Sequence, residues 1–161
     1  MNEHIHDENC NHDEEEFEPI PVSDVMTDDV MCATADTALQ EIARLMRDED
    51  CGAIPIVSDA ESLRPIGIIT DRDITVRLVA EGRNPLELTA RDAMSETVVT
   101  ISPAADLEEC MDLMEENQLR RVVVVDENGG VCGIIAQADI ADWASEEDTA
   151  EMLGEISDDE K

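Results

Sequence analysis

Two short stretches of this 161-residue chain carry its most suggestive chemistry. In "GIITDRD", residues 67–73, an apolar run ends abruptly in Thr70, Asp71, Arg72 and Asp73. Thr70 and Asp73, three apart at a helix start, have the spacing of a capping box, in which hydroxyl and carboxylate each accept from the other residue's backbone N–H. The same pair has ligand chemistry. A carboxylate facing a vicinal diol accepts charge-assisted hydrogen bonds from both hydroxyls. A threonine hydroxyl beside the first N–H groups of a helix suits a phosphate oxygen. The two roles are compatible. The second stretch, "GIIAQAD", residues 133–139, keeps Gly133, Ile134, Ile135 and Asp139 but has Ala136 where the first has Thr70. Gly67 and Gly133 leave room in a strand for close approach of a ligand or of another backbone.

Other residues add to this set. "LRRVVVV" puts Arg120 and Arg121 just before a strand. They form either a local anion anchor or a surface pair neutralising acids such as Glu115 and Glu116. The corresponding stretch earlier in the chain, "CGAIP", has Gly52 and Ala53 and offers an anion nothing charged. The basic side of any site then comes from the second half, joined by Arg72. His4, His6 and His12, with Cys10 among them, could bind Zn²⁺ or Ni²⁺, although their spacing matches no standard structural zinc site. Beyond residue 12 there is no histidine. No Cys–His or Ser–His–Asp arrangement and no Walker-type phosphate loop is present, so the expectation is a binding protein and not an enzyme.

The elements that hold these residues come in duplicate. "DVMTDDVMCATADTALQEIARLM" and "DAMSETVVTISPAADLEECMDLM" align without a gap. Leu39, Ile42, Ala43 and Met46 match Leu107, Cys110, Met111 and Met114, each quartet at i, i+3, i+4, i+7, which predicts an amphipathic helix. Thr37 with Gln40, and Asp106 with Glu109, are capping-box candidates. Short β-type runs precede the helices at 30–33 and 98–101. Continuous apolar segments follow at 53–57 and 122–125, then a hairpin turn, then "IGII" or "CGII". A last helix closes each unit, at 71–81 and from 138 to 143 or beyond. Each unit therefore reads strand, helix, strand, strand, helix. The divisions are a tail at 1–18, a first repeat at 19–81, a linker at 82–89 around Gly82 and Pro85, a second repeat at 90–143 and a tail at 144–161. One such unit buries a marginal core, so the two are expected to pack together with approximate two-fold symmetry and with clefts between them.

Composition narrows the function. The formal net charge is -32, from 42 acids against ten basic residues. Such a chain repels nucleic acid and anionic membranes, and it lacks the aromatic platform on which single-stranded nucleic acid stacks. Acidity this widespread, with a single lysine, fits a protein that works in high salt, where charges are screened within a few ångströms; two acidic, disordered tails on an ordinary domain are the alternative. The five scattered cysteines imply no disulfide framework. An acidic N-terminus is unlike a signal peptide, and no apolar run reaches the ~18 residues of a membrane span. A soluble protein of the cytoplasm is expected.

The whole series, from "DVMT" through "CGAIPIV" and "GIITDRDI" to "DAMS" and "LRRVVVVDENGGVCGIIAQADI", resembles a tandem cystathionine β-synthase (CBS) domain pair, the Bateman module. It is most similar to the stand-alone pairs of bacteria and archaea. The resemblance implies an α+β fold of two β-α-β-β-α repeats in one globule. It also implies clefts for adenosine-containing ligands: AMP, ADP, ATP, and in some members NADH or S-adenosylmethionine. The family's G-h-h-[TS]-x-x-[DN] pattern, whose acid holds the ribose hydroxyls, maps onto Gly67, Thr70 and Asp73 in full. It maps onto Gly133 and Asp139 in part, since Ala136 departs from it. By the same resemblance Arg120 and Arg121 reach ligand phosphates, and Met31, Cys32, Ile54 and Pro55 form an apolar slot for adenine. The expected function is regulatory: ligand occupancy is passed to a partner protein by a disc-like homodimer. The alternative is a dimeric interaction scaffold with vestigial clefts.

Overall fold

The computed structural model describes residues 18–141 and 143. The tail from 144 and all of the first tail but Glu18 fall outside these residues, and with them His4, His6, Cys10 and His12. The order of elements is β1 (Thr27–Asp28), β2 (Ala33–Thr34), α1 (Leu39–Asp48), β3 (Ala53–Val57), β4 (Pro65–Thr70), α2 (Asp71–Ile74), β5 (Thr100–Ile101), α3 (Leu107–Glu116), β6 (Arg121–Val125), β7 (Val131–Ala136) and α4 (Gln137–Ala141). The fold is α+β, with each half built as strand, helix, strand, strand, helix.

Both halves repeat one plan. The first strand runs parallel to the second, and the second and third form an antiparallel hairpin: β2–β3–β4 in one sheet and β5–β6–β7 in the other. Three of each amphipathic quartet face the core, while Ala43 is exposed and Met111 half-buried at the margin of the stripe. Leu39, Ile42 and Met46 are buried on α1, as are Leu107, Cys110 and Met114 on α3. β3 is buried along its whole length, whereas β4 and β7 alternate and present one face outward.

The halves exchange their entering segments. β1 pairs antiparallel with β7 of the second sheet, Thr27 opposite Ile134 and Asp28 opposite Gly133. In the mirror arrangement Ser95 bridges to Ile68 on β4. Val22, fully buried, belongs to the core of the second half with Ile101, Leu107 and Ile135, while Ala90, Ala93 and Met94 belong to the core of the first. A third cluster of Val57, Val123 and Val131 lies where the two sheets meet. Each half thus completes its core with chain that precedes the other, which offsets the small core of a single repeat.

Several expected details are corrected. The first strands are shorter than 30–33 and 98–101 and sit one or two residues later. α1 is not capped by a Thr37–Gln40 box. Its N-cap is Ala38, with no side-chain bond, and the Leu39 N–H is bonded instead to Leu88 O at 3.0 Å. Thr37 turns back, its hydroxyl accepting from Thr34 N at 3.0 Å. Backbone from the inter-repeat segment has replaced a cap. At α3 Asp106 caps by accepting from Glu108 N at 3.0 Å, but the expected box with Glu109 is not made. The helix expected at 71–81 is a single α-turn that widens into a π-helix over Thr75–Val79, where Ala80 N reaches Thr75 O at 2.9 Å. No helix among the described residues is long and apolar enough to cross a membrane.

Candidate functional site

β4 delivers Thr70 to the edge of a cleft. Its alternation turns Gly67 and Ile69 inward and leaves Ile68 and Thr70 half-buried. At Thr70 the extended backbone stops, because the Thr70 hydroxyl accepts from Asp73 N at 3.1 Å and Asp73 Oδ2 accepts from Thr70 N at 2.8 Å. The capping box is therefore present in full. It commits one oxygen of Asp73 and leaves Oδ1 free of the cap, 3.6 Å from Arg77 Nε. The Asp73 side chain is 18 % exposed, enough for a ligand to reach it and dry enough to strengthen any hydrogen bond it accepts.

The first N–H groups of α2, expected to face a phosphate, are already bonded. Asp71 N donates to Gly52 O at 3.2 Å, Arg72 N to Asp71 Oδ1 at 2.8 Å, and Asp73 N to the Thr70 hydroxyl. Any anion at this site is left to the guanidinium groups and to the Thr70 O–H proton.

The cleft encloses about 1020 Å³. Thr70, Arg72, Asp73 and Arg77 form one wall, the inter-repeat stretch from Met94 to Thr97 with Val99 a second, and Arg120, Arg121 and the Ala136–Ala138 turn a third. Four of the chain's nine arginines line it, against Asp71, Asp73 and Glu96. In a protein of net charge -32 this is a local reversal of sign. Arg121 is half-buried, and its guanidinium makes no ion pair or hydrogen bond with any described residue. It lies over Gly52: a Cβ there would stand 3.2 Å from Arg121 Nη2 and 3.4 Å from Asp71 Oδ2. The glycine of "CGAIP" thus gives the arginine of the other half its place.

The structure brings Thr70, Arg72, Asp73, Arg120 and Arg121 together in this cleft. It does not bring the others. Asp139 repeats half of the box, Oδ2 accepting from Ala136 N at 2.8 Å, but Ala136 has no hydroxyl to close it. Met31, Cys32, Ile54 and Pro55 lie outside the lining. Met31 is 44 % exposed, Ile54 and Pro55 are buried, and the Cys32 thiol is turned to Val30 O at 3.6 Å. The apolar lining comes from Ile68, Met94, Val99 and Leu119 instead. Gly67 and Gly133 meet backbone: a Cβ on Gly67 would be 2.7 Å from Ser95 O, and one on Gly133 would be 2.9 Å from Thr27 O and 2.6 Å from Met26 Sδ. Their close approach is to the exchanged segments. Arg77 went unremarked in the sequence, although its i, i+4 spacing from Asp73 on a helix was a signal.

The cysteines among the described residues form no disulfide. Cys32, Cys51, Cys110 and Cys132 are free thiols, and burial pushes Cys110 up to about 11, leaving it a small apolar filler. No group of three His, Cys, Asp or Glu among the described residues is placed to hold a metal ion.

Two α+β repeats that exchange their entering segments around a cleft holding both Asp73 and Arg121 define a paired-repeat module. The CBS domain profile matches this chain twice, over residues 22–80 and 90–146, and the chain belongs to that family. It is 37% identical over 118 residues to Hypoxic response protein 1 of Mycobacterium tuberculosis, covering 73% of this chain and 80% of that one. A crystal structure of Hypoxic Response Protein I with two coordinated zinc ions superposes with a TM-score of 0.68 at 34% identity, covering 78% of this chain and all of the other. An uncharacterized Methanopyrus kandleri protein, MK0525, is 37% identical over 121 residues, 75% of this chain; the match spans only 61% of that relative's length. The CBS pair of protein MJ0100, solved with 5′-methylthioadenosine and S-adenosyl-L-methionine, shares the fold with a TM-score of 0.69 at 24% identity, over 78% of this chain and 96% of that one.

Proposed function

We propose that this protein is a regulatory module that binds an adenosine-containing ligand in the described cleft and passes its occupancy to a partner protein. AMP, ADP and ATP are the leading ligands, with NADH and S-adenosylmethionine as further members of the class. The observation that carries the reading is the meeting in one cleft of Asp73, with an oxygen left over from its cap, and the unpaired guanidinium of Arg121. A carboxylate repels a phosphate but accepts from a ribose diol, and a guanidinium forks onto phosphate oxygens. A ligand carrying both groups, a few ångströms apart, answers both. The nucleoside ligands of the MJ0100 pair support the adenosine half of this reading.

Isothermal titration of AMP, ADP, ATP, NADH and S-adenosylmethionine into the full-length protein in high salt is the test. Binding tighter than millimolar by at least one of them is expected; none at all sinks the reading. The competing scaffold reading draws on Ala136 and the half-made second box. It wins if an Asp73, Asp139 double variant still captures the partner normally.

Two further elements belong to this proposal. Val76 (49 %), Val79 (56 %) and Trp143 (54 %) are exposed apolar residues that follow the two motifs, and they suit pairing of two copies; sedimentation that gives a monomer at every concentration excludes it. Zinc or nickel at His4, His6, Cys10 and His12 is the second. Titration of Zn²⁺ into the full chain and a Cys10→Ser, His12→Ala variant tests it, and equal affinity of the two removes it.

A further inference from the structure

Arg77 has more acceptors around it than one ion pair requires. Nε lies 3.6 Å from Asp73 Oδ1. Nη1 donates to Ala93 O and to Met94 O, each at 3.1 Å, and Nη2 donates to Ser95 Oγ at 3.1 Å. Ser95 in turn exchanges two backbone hydrogen bonds with Ile68 on β4, at 2.9 and 3.0 Å, over the missing Cβ of Gly67. One guanidinium therefore ties the carboxylate of one cleft wall to the segment that continues into another, where Glu96, Thr97 and Val99 line the cavity.

The details favour orientation over simple neutralisation. Asp73 Oδ2 is taken by the Thr70 N–H, so Oδ1 is the oxygen a ligand must use. At 3.6 Å the arginine holds that oxygen in a positive field without filling its lone pairs. The π-turn over Thr75–Val79 lets Leu78 stay fully buried while Arg77, next to it, reaches the crossing 93–95 segment. At the position that corresponds to Arg77 in the second repeat, four after Asp139, stands Trp143, so that repeat has no such tie.

We propose that Arg77 is a positioning residue that aims Asp73 Oδ1 at the ribose diol and couples occupancy of the cleft to the 93–97 segment. The inference rests on the nucleotide reading above. Hydroxyl hydrogens arriving at Oδ1 draw carboxylate charge away from the guanidinium. The guanidinium then leans on its three remaining acceptors and tightens the segment between the repeats. Occupancy becomes a change in the stability of a backbone segment, a form in which a partner can read it.

The experiment uses the full-length protein in high salt, with Arg77→Gln and Arg77→Lys beside the wild type and folding checked by circular dichroism. AMP and ATP are each titrated with their 2′-deoxy analogues, and hydrogen exchange of the 94–97 amides is followed with and without nucleotide. The wild type is expected to prefer the ribo form by about tenfold or more and to gain protection at 94–97. Arg77→Gln loses both, its preference falling to about threefold or less. Arg77→Lys keeps the preference, because a cation remains beside Asp73. It loses the protection, because a compact ammonium does not span Asp73 and the 93–95 carbonyls together. If folded Arg77→Gln retains both, the coupling is overturned and the nucleotide reading stands. Should Arg77→Gln not fold, the lysine variant decides, and retention of both properties by it overturns the proposal. A wild type that binds neither AMP nor ATP removes the nucleotide reading and this inference with it.

Discussion

The two repeats end their hairpins in the same way and surround the ends differently. Thr70–Asp73 and Ala136–Asp139 occupy equivalent turns: Ala53 stands opposite Thr70 in one sheet as Arg121 stands opposite Ala136 in the other. Asp71 N bonds Gly52 O just as Gln137 N bonds Arg120 O. Asp50 and Gln118 share a left-handed backbone at equivalent places, φ 50° and 53°. On this common frame the charges part company. Where one side has Arg72, Arg77, Arg120 and Arg121, the other has Ala138, Trp143, Gly52 and Ala53. Where one has Glu96, Thr97, Asn117 and Gln118, the other has Asp28, Asp29, Glu49 and Asp50. Backbone symmetry is kept by the exchanged segments and buried strands, while the charges at the ends of the hairpins drift. The comparison teaches that the acid of one repeat's motif and the arginines beside the other repeat's strand meet on one face only, so the proposed anionic nucleotide has one face with cations to meet it.

The largest expected break is at the acids. Asp73→Asn should weaken nucleotide binding by about a hundredfold, the loss of charge-assisted bonds to two hydroxyls. Asp139→Asn, on the face without arginines, should change it less than about threefold. Parallel calorimetry of the two variants checks this, and equal losses would restore symmetry between the faces.

Next come the glycines, where the halves should behave alike. Alanine at Gly67 or Gly133 drives a methyl group into a crossing carbonyl, 2.7 Å from Ser95 O or 2.9 Å from Thr27 O. Each should lower unfolding free energy by about 1–3 kcal/mol in urea titrations. Gly133→Ala should be the milder, because its other close neighbour, Met26 Sδ, can swing aside. Wild-type stability in both would mean that the exchanged segments do not seat where the structure has them.

Arg121→Ala sharpens the charge contrast. It should weaken AMP binding by about tenfold while leaving adenosine nearly unchanged, since only the phosphate is addressed. A loss equal for both ligands would assign Arg121 to packing over Gly52 and not to the anion.

Much of this contrast was legible in the chain. The repeat, the two amphipathic helices, the Thr70–Asp73 box and the isolated Arg120–Arg121 pair are local patterns, set by 3.6-residue periodicity or by three-residue spacing. What escaped depends on partners far away in sequence. The exchange of 22–28 and 88–95 is written in no periodicity, so a ligand and another backbone remained equal explanations for Gly67 and Gly133 until Ser95 and Thr27 were seen to lie against them. Thr37 had the right spacing for a cap, but Leu88 O reached the Leu39 N–H first. Met31, Cys32, Ile54 and Pro55, the expected adenine slot, are likewise not among the residues that line this cleft. Which half supplies each wall follows from the crossing of the repeats.

The two caps give a smaller, opposite pair of effects. Thr70→Ala removes the hydroxyl that accepts from Asp73 N, and should destabilise the fold by about 1 kcal/mol. Ala136→Thr adds a hydroxyl where Asp139 already holds the other half of a box, and should stabilise by up to about 1 kcal/mol. Thermal unfolding of the two variants reads the signs directly. A stabilising Thr70→Ala would show that the box is strained to serve the ligand.

The hairpin loops offer the finest contrast. The second turns on Gly129, φ 80°, while the longer first loop puts Leu63 in the left-handed region at φ 52° and relies on Asp59 to hold it. Asp59 accepts from the Ser62 N–H and hydroxyl, the Ser58 hydroxyl and Glu61 N. These bonds, those from Ser62 foremost, lower its pKa from 3.8 to about 2. A group whose folded pKa is depressed stabilises the fold above its unfolded pKa and loses that contribution as pH falls through the folded value. The Tm difference between wild type and Asp59→Ala should therefore be constant above about pH 5, narrow below pH 4 and be lost only below about pH 2. A gap that stays the same width from pH 6 to pH 3 would show that the loop is held by Leu63 O accepting from Val131 N, across to the other repeat, and not by the charge on Asp59.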